Sequence, residues 1–340
     1  MAIGPSTSYL AALRTARHYI PGQPAVVLPH VGDRPAGAPP ILAEASLGID
    51  APILFSLYPN CGANRLRPVV RALMTWFEIR WVPTVAPNPH RRFLSTVEAP
   101  VFAYGDFPGI RRALDDAYGR SVALLDFGCW TEIHDHLSTE MLAGLAPCKV
   151  VALYRDPRDY IVSLYHWFID PLHEERFRLL RSQSKEEALL SMFEGFATKT
   201  PAGDSIYQVP PLAQVARDFV ALREHAHVLP VSFEEARLDP RALYRRMIAW
   251  LGFDDVAFKG IPDDSLDRLT ALGSFSAQSG GAYKEGQSDS FHRSAQGVTG
   301  LRKGIVGDWR NHFSPKVAVR ARELIGRELI ELGYEKTLEW

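Results

Sequence analysis

Apolar residues in this chain fall into short dense runs closed by turn residues, and several of the runs lead into stretches with helical spacing. The first strong run is Pro52 to Leu57, PILFSL. Its unbroken apolar character predicts a strand buried on both faces. After the turn from Tyr58 to Gly62, the stretch RLRPVVRALMTWFEI repeats its apolar residues at the helical period. Asn64 is placed to cap that helix. Pro68 lies in its first turn or just past it, where a missing N–H costs least. Further strands are predicted at Val122 to Phe127 (VALLDF), Lys149 to Tyr154 (KVVALY) and His227 to Val231 (HVLPV). Helices are predicted from Arg158 to Phe168 and from Pro240 to Leu251, with shorter ones from Ser8 to Tyr19 and from Thr139 to Leu145. Strands alternating with helices give an α/β fold with a central parallel β-sheet flanked by helices.

The ends of the pattern differ from its middle. Pro21 to Pro40 is rich in Pro and Gly and reads as loop or extended arm. Residues 1–50 are therefore taken as an N-terminal extension and residues 51–340 as one domain. Ser276 to Gly300, rich in Gly, Ser and Gln, reads as a long loop of the kind that forms lids or binding loops. A formal net charge of −1 over 340 residues gives no global field to draw the chain to nucleic acid, so any anion site must be local. The three cysteines, Cys61, Cys129 and Cys148, lack C-x-x-C spacing, and no zinc or other metal site is expected. No stretch has the length and apolarity of a signal core or of a membrane span of about 18 residues. The chain is read as cytoplasmic, with no membrane span.

Three stretches carry candidate chemistry. The first, Leu57-Tyr-Pro-Asn60-Cys61-Gly62-Ala63-Asn64-Arg65, is a glycine turn between a strand and a helix. Such a turn aims backbone N–H groups and a helix N-terminus at one point, which suits a phosphate. An ordinary β–α turn would look similar. The second, Arg155-Asp-Pro-Arg-Asp-Tyr-Ile-Val-Ser163, places a guanidinium at the carboxyl end of a strand and a hydroxyl on the next helix. Open α/β sheets bind ligands at that edge, and both groups can reach one phosphate. Pairing of Arg155 with Asp156 or Asp159 is the simpler alternative. In the third, Arg302 and Lys303 stand between Gly300 and Gly304, as in a flexible anion clamp or a solvated turn.

Taken together, in this order, the stretches resemble the cytosolic-type sulfotransferase family. That family's first motif reads roughly T-Y-P-K-S-G-T-T-W. Its second is matched by KVVALYRDPRDYIVSLYHWF, and its closing motif, R-K-G-x-x-G-D-W-K-N-x-F, is nearly complete from Arg302 to Phe313. Leu229 to Phe253 is similar to the family's Tyr-Glu-Asp strand and Asp-Pro helix. The resemblance spans roughly residues 52 to 335. It implies a P-loop-NTPase-like three-layer fold and transfer of a sulfuryl group from 3′-phosphoadenosine 5′-phosphosulfate (PAPS) to a hydroxyl or amine of a small-molecule acceptor, with 3′-phosphoadenosine 5′-phosphate (PAP) as product.

By the same resemblance, Arg155 and Ser163 hold the 3′-phosphate, and Arg302, Lys303 and Gly304 close over it. Phe233 and Phe275 line the base pocket, with core packing as the alternative for both. Arg65 stands where the family stacks a Trp on the base, and a guanidinium can stack too. A family His serves as general base. His134 fits its spacing to Arg155, and His136 fits the local pattern because Leu137 follows. Asn60 replaces the motif Lys, so a charge that stabilises the transition state is missing, unless Arg65 or Arg67 supplies it. Cys61, Ala63 and Asn64 replace the Ser and the two Thr. A nucleotide-binding protein with weakened catalysis and a regulatory or binding role is the alternative reading. A P-loop kinase is disfavoured by the absence of G-x-x-x-x-G-K-[ST]. Acceptor loops rich in Phe and Tyr suggest an apolar or aromatic acceptor. Many family members dimerise through a segment after the closing motif. Ser314 to Arg320 departs from that pattern, which leaves a homodimer open.

Overall fold

A parallel five-stranded sheet carries the fold, and its register brings three chain segments to one edge. The computed structural model describes residues 53–58, 60–76, 80–81, 129–133, 137, 142, 149–170, 178–199, 206–252, 263–281, 283–287, 293–294, 297–298 and 301–340. In chain order these residues form β1 (Ile53–Leu57), α1 (Ala63–Trp76), β2 (Arg80–Trp81), β3 (Cys129–Ile133), β4 (Lys149–Tyr154), α2 (Pro157–Ile169), α3 (Arg178–Ser182) and α4 (Lys185–Phe193). Next come β5 (Phe196–Lys199), β6 (Ile206–Val209), α5 (Leu212–Ala221), β7 (Val228–Ser232), α6 (Phe233–Leu238), α7 (Pro240–Leu251), α8 (Asp263–Leu272) and α9 (Phe275–Gln278). The hairpin of β8 (Arg293–Ser294) and β9 (Gly297–Val298) and the helix α10 (Pro315–Leu332) follow.

The sheet order is β2-β3-β1-β4-β7, with every pairing parallel. β1 and β4 are buried along their length, apart from the part-buried Lys149. That burial is why they read as continuous apolar runs rather than alternating ones. Leu57 stands opposite Leu153, and Tyr154 opposite Ser232. The turn after β1, Arg155 after β4 and Phe233 after β7 therefore leave the sheet side by side. Helices α1, α7 and α8 pack together, as do α2, α4, α5 and α10. One hydrophobic core runs from Ile53 to Leu332.

Local signals explain the helix ends. Asp239 caps α7 by accepting from the Ala242 N–H, Pro240 opens it, and Gly252 at φ 89° closes it. Asp156 likewise caps α2 ahead of Pro157, one residue earlier than the predicted start. Asn64 does not cap α1. The Gly62 carbonyl accepts the first helical bonds, from Arg65 N (2.8 Å) and Leu66 N (3.2 Å), which puts Asn64 inside the helix. Pro68 sits well within α1. At the start of the span predicted as one long loop, Phe275–Gln278 forms a short helix capped by Ser274, and within the span Arg293 pairs with Val298 in a hairpin. The predicted strand Val122 to Phe127, the helix Ser8 to Tyr19, residues 1–50 and most of Thr139 to Leu145 lie outside the described residues. Among the described residues no helix is long and apolar enough to cross a membrane.

Candidate functional site

The turn after β1 is held in a conformation that few residues accept. Cys61 N donates to the Tyr58 carbonyl at 3.2 Å. Asn60 adopts φ 60° and Gly62 φ 98°. Asn tolerates the left-handed region better than most residues. Gly62 is required twice, by its φ and by space, since a Cβ there would lie 2.5 Å from the Phe233 ring. Cys61 and Ala63 have their side chains in the core, 0% and 5% exposed. Neither side chain reaches the turn's open side, and the Cys61 N–H is already given to Tyr58. Burial pushes the Cys61 thiol well above its usual range, and the nearby Arg155 charge only partly offsets this. Cys61 is thus a thiol, not a nucleophile.

Arg155 joins the three sequence stretches. Its Nη1 donates to the Asn60 carbonyl at 3.3 Å, and its Nη2 donates to the Ile305 carbonyl at 2.9 Å. Its guanidinium carbon sits 4.2 Å from the centroid of Phe233. Its buried Nε finds no acceptor among the described residues. The ion pair with Asp159, considered as a simple alternative role for Arg155, is present but long at 3.5 Å. Ser163 is no mere packing residue: its hydroxyl donates to Asn60 Oδ1 at 3.2 Å.

Two buried carboxylates organise the closing stretch. Asp159, fully buried, accepts from Gly307 N at 2.7 Å and Trp309 N at 2.8 Å. Asp308 receives Arg302 Nη2 at 2.7 Å, Lys303 Nζ at 3.1 Å and Asn311 Nδ2 at 2.9 Å, with His312 Nε2 at 3.2 Å. Burial alone would raise the Asp308 carboxyl. Hydrogen bonds from His312 and Asn311 and the Arg302 charge overcome it and hold the carboxyl far below the usual range. Gly304 adopts φ 68°, and a Cβ there would meet the Phe275 ring at 2.7 Å.

Glu234 adds a titrating group behind Arg155. It accepts from Asp156 N at 3.2 Å and Tyr334 Oη at 2.8 Å. Burial raises its carboxyl to about 7, against the lowering effect of the Arg155 charge. An acid raised in the folded state binds its proton more tightly there than in the unfolded chain. Its contribution to stability is complete below about pH 4.5 and is lost as pH rises through 7. The loss expected from this one group between pH 5 and pH 8 is about 3 kcal/mol. Glu234→Gln should flatten that slope in urea unfolding measured at the two pH values.

The structure thus gathers Asn60, Cys61, Gly62, Ala63, Asn64, Arg155, Ser163, Phe233, Arg302, Lys303, Gly304 and Phe275 at or beside one edge of the sheet. Two placements differ from expectation. Phe233 opens α6 after Ser232 caps it, instead of lying on the strand. Arg65 is not left to stack, because its Nη2 pairs with Glu285 at 2.9 Å. His134 and His136 lie outside the described residues. Asp308, Glu234 and Glu285 were not anticipated. Asp308 stands within the closing motif, but nothing in the sequence marks Glu285.

Known proteins are similar to this chain over most of its length. Cytosolic sulfotransferase 17 of Arabidopsis thaliana is 24% identical over 286 residues, covering 82% of this chain and 74% of the relative. Cytosolic sulfotransferase 16 of the same plant is 27% identical over 291 residues, covering 81% and 75%. The solved structure of mouse sulfotransferase SULT7A1 complexed with PAP superposes with a TM-score of 0.50 at 18% identity, covering 85% of this chain and 91% of that one. This likeness speaks to the fold. The sulfotransferase domain family matches residues 88–333, a span that starts beyond the rewritten glycine turn and takes in both the Arg155 stretch and the closing motif. With most of its length matched, the chain belongs to the sulfotransferase family.

Proposed function

We propose that the chain binds PAPS at the edge formed by β1, β4 and β7 and transfers its sulfuryl group to a hydroxyl or amine of a small molecule. The observation that carries this reading is Arg155, one cation touching the backbone of both the first and the closing motifs. The residues fit the nucleotide. Gly62 and Gly304 are cradles that a Cβ would fill, and Arg155 keeps a buried N–H donor in reserve. Backbone N–H groups from Gly62 to Asn64 face the 5′ end at the start of α1. Arg155, Ser163, Arg302, Lys303 and Gly304 hold the 3′-phosphate. Phe233 and Phe275 offer flat faces to the base.

Transfer needs a new bond from the acceptor to sulfur while the bond from sulfur to the phosphate oxygen breaks. One of His134 and His136 takes the acceptor proton. Positioning and charge supply most of the acceleration in such group transfers. Asn60 brings no charge, and with Oδ1 held by Ser163 it offers only its amide N–H to the leaving oxygen. Arg155, bonded to the Asn60 carbonyl, is the cation the fold sets beside that position. Catalysis is therefore slower than a lysine at position 60 would allow. A hydroxyl acceptor is in keeping with a further relative, 3-beta-hydroxysteroid sulfotransferase of Cavia porcellus, 27% identical over 171 residues, about half of each chain. A cytosolic setting accords with the names of the Arabidopsis relatives.

The test is release of PAP from PAPS in the presence of phenols, alcohols and amines. Asn60→Lys should raise turnover by roughly a hundredfold. It should also cost about 1 kcal/mol of stability, because lysine is poorly suited to the left-handed backbone at φ 60°. No turnover by either protein over the whole panel would refute the transferase reading.

A further inference from the structure

Three elements far apart in the chain meet on one carboxylate. Glu285 accepts from Arg65 Nη2 on α1 at 2.9 Å, across 220 positions of sequence. It also pairs with Arg237 Nη2 on α6 at 2.6 Å. The same carboxylate lies against the closing stretch. Its Oε1 is 3.1 Å from where a Cβ on Gly304 would stand, and the Phe275 ring is 2.7 Å from that point. One residue on, Gly286 N donates to the Lys303 carbonyl at 2.8 Å. The side chains of Arg65 and Glu285 are only 13% and 25% exposed. A pair so withdrawn from water is screened less than one on the open surface.

A carboxylate beside a phosphate clamp would weaken anion binding if it stood alone. Here two guanidiniums face it, so the trio keeps a net positive charge and the clamp keeps its attraction. What the trio adds is a tie. Residues 283–287 are joined at one end to α1 and α6, and at the other to Lys303 and Gly304.

We infer that Glu285 is a positioning residue that fastens the closing stretch over the base end of the nucleotide, with Arg65 and Arg237 as the two anchors. This rests on the nucleotide reading above. Arg65, where the family stacks a tryptophan, serves here as an anchor for the closing stretch. Letting the nucleotide go requires the carboxylate to part from two partly buried cations, so the fastening governs departure more than encounter.

The test follows PAP dissociation by stopped flow from full-length wild type, Glu285→Gln, Glu285→Asp and Arg155→Ala, with melting temperatures measured alongside. Glu285→Gln keeps the shape and removes the charge. It should release PAP roughly tenfold faster with little change in association rate, and Glu285→Asp should recover part of the loss. A Glu285→Gln protein that releases PAP at the wild-type rate, or that differs only in melting temperature, overturns the inference. If wild type binds PAP and Arg155→Ala does not, that failure leaves the nucleotide reading standing. If folded wild type binds no PAP at all, both readings fall.

Discussion

Arg155→Ala should abolish measurable binding of PAP in calorimetry, while wild type binds. Two charge-assisted hydrogen bonds to phosphate are worth about 1.5–3 kcal/mol each. Losing both would weaken affinity by at least a hundredfold. The substitution also removes the bonds to the Asn60 and Ile305 carbonyls and the stack on Phe233. The glycine turn and the closing stretch then lose their common partner, so the loss should exceed that of a simple contact. Arg155→Lys separates the two effects. It keeps the charge but cannot reach two carbonyls with one planar group, so it should recover only part of the binding. Unchanged affinity in Arg155→Ala would remove the basis for the proposed site.

Arg158→Ala should be the most destabilising single change away from the ligand-facing groups, by about 3–5 kcal/mol. Arg158 is 1% exposed, and its guanidinium lies over the rings of both Trp309 and Trp340, 4.1 and 4.5 Å from their centroids. It grips Asp156 through Nε (3.0 Å) and Nη2 (2.8 Å) and Glu335 through Nη1 at 2.6 Å. Alanine would leave Asp156 buried without its main partner and would strip the guanidinium from the faces of both indoles. Asp156 is also the cap of α2, so the helix carrying Ser163 would loosen with it. The measurement is the urea midpoint. Arg158→Lys should lose most of the same stability, since an ammonium neither forks onto a carboxylate nor stacks as a plane. A shift below about 1 kcal/mol, the scale of a surface pair, would show that the buried network does not anchor α2.

How far the sequence discloses this molecule depends on the range of the interaction concerned. β4 and α7 lie where predicted, because a continuous apolar run and an Asp-Pro start followed by a left-handed Gly stop act within a few residues. The cap of α1 differs from expectation for a reason distant in sequence. Asn64 has the chemistry of a cap, but the close approach of Phe233 makes Gly62 the pivot. The hairpin from Arg293 to Val298 carries no alternating pattern, so composition alone suggested loop. Arg155, Ser163, Arg302 and Lys303 were legible as a set through motif order and spacing. Their partners were less so. Asp159 pairs with backbone N–H groups of Gly307 and Trp309 some 150 positions away, and Glu285 with Arg65 across 220. Such pairings join helices to segments far along the chain, which no local pattern encodes.

Five described cations in or beside the candidate anion site already face carboxylates of their own chain. Arg155 faces Asp159, Arg302 and Lys303 share Asp308, and Arg65 and Arg237 share Glu285. Five cations set against three carboxylates leave two positive charges in excess, but from farther off than a Debye length of about 8 Å salt screens that excess. An incoming polyanion is therefore not steered from a distance, and capture proceeds at the pace of unguided diffusion and docking. Selectivity is deferred to contact, where a ligand must match the fixed positions of these donors. Simple anions, which profit from bulk charge alone, gain little from such a surface.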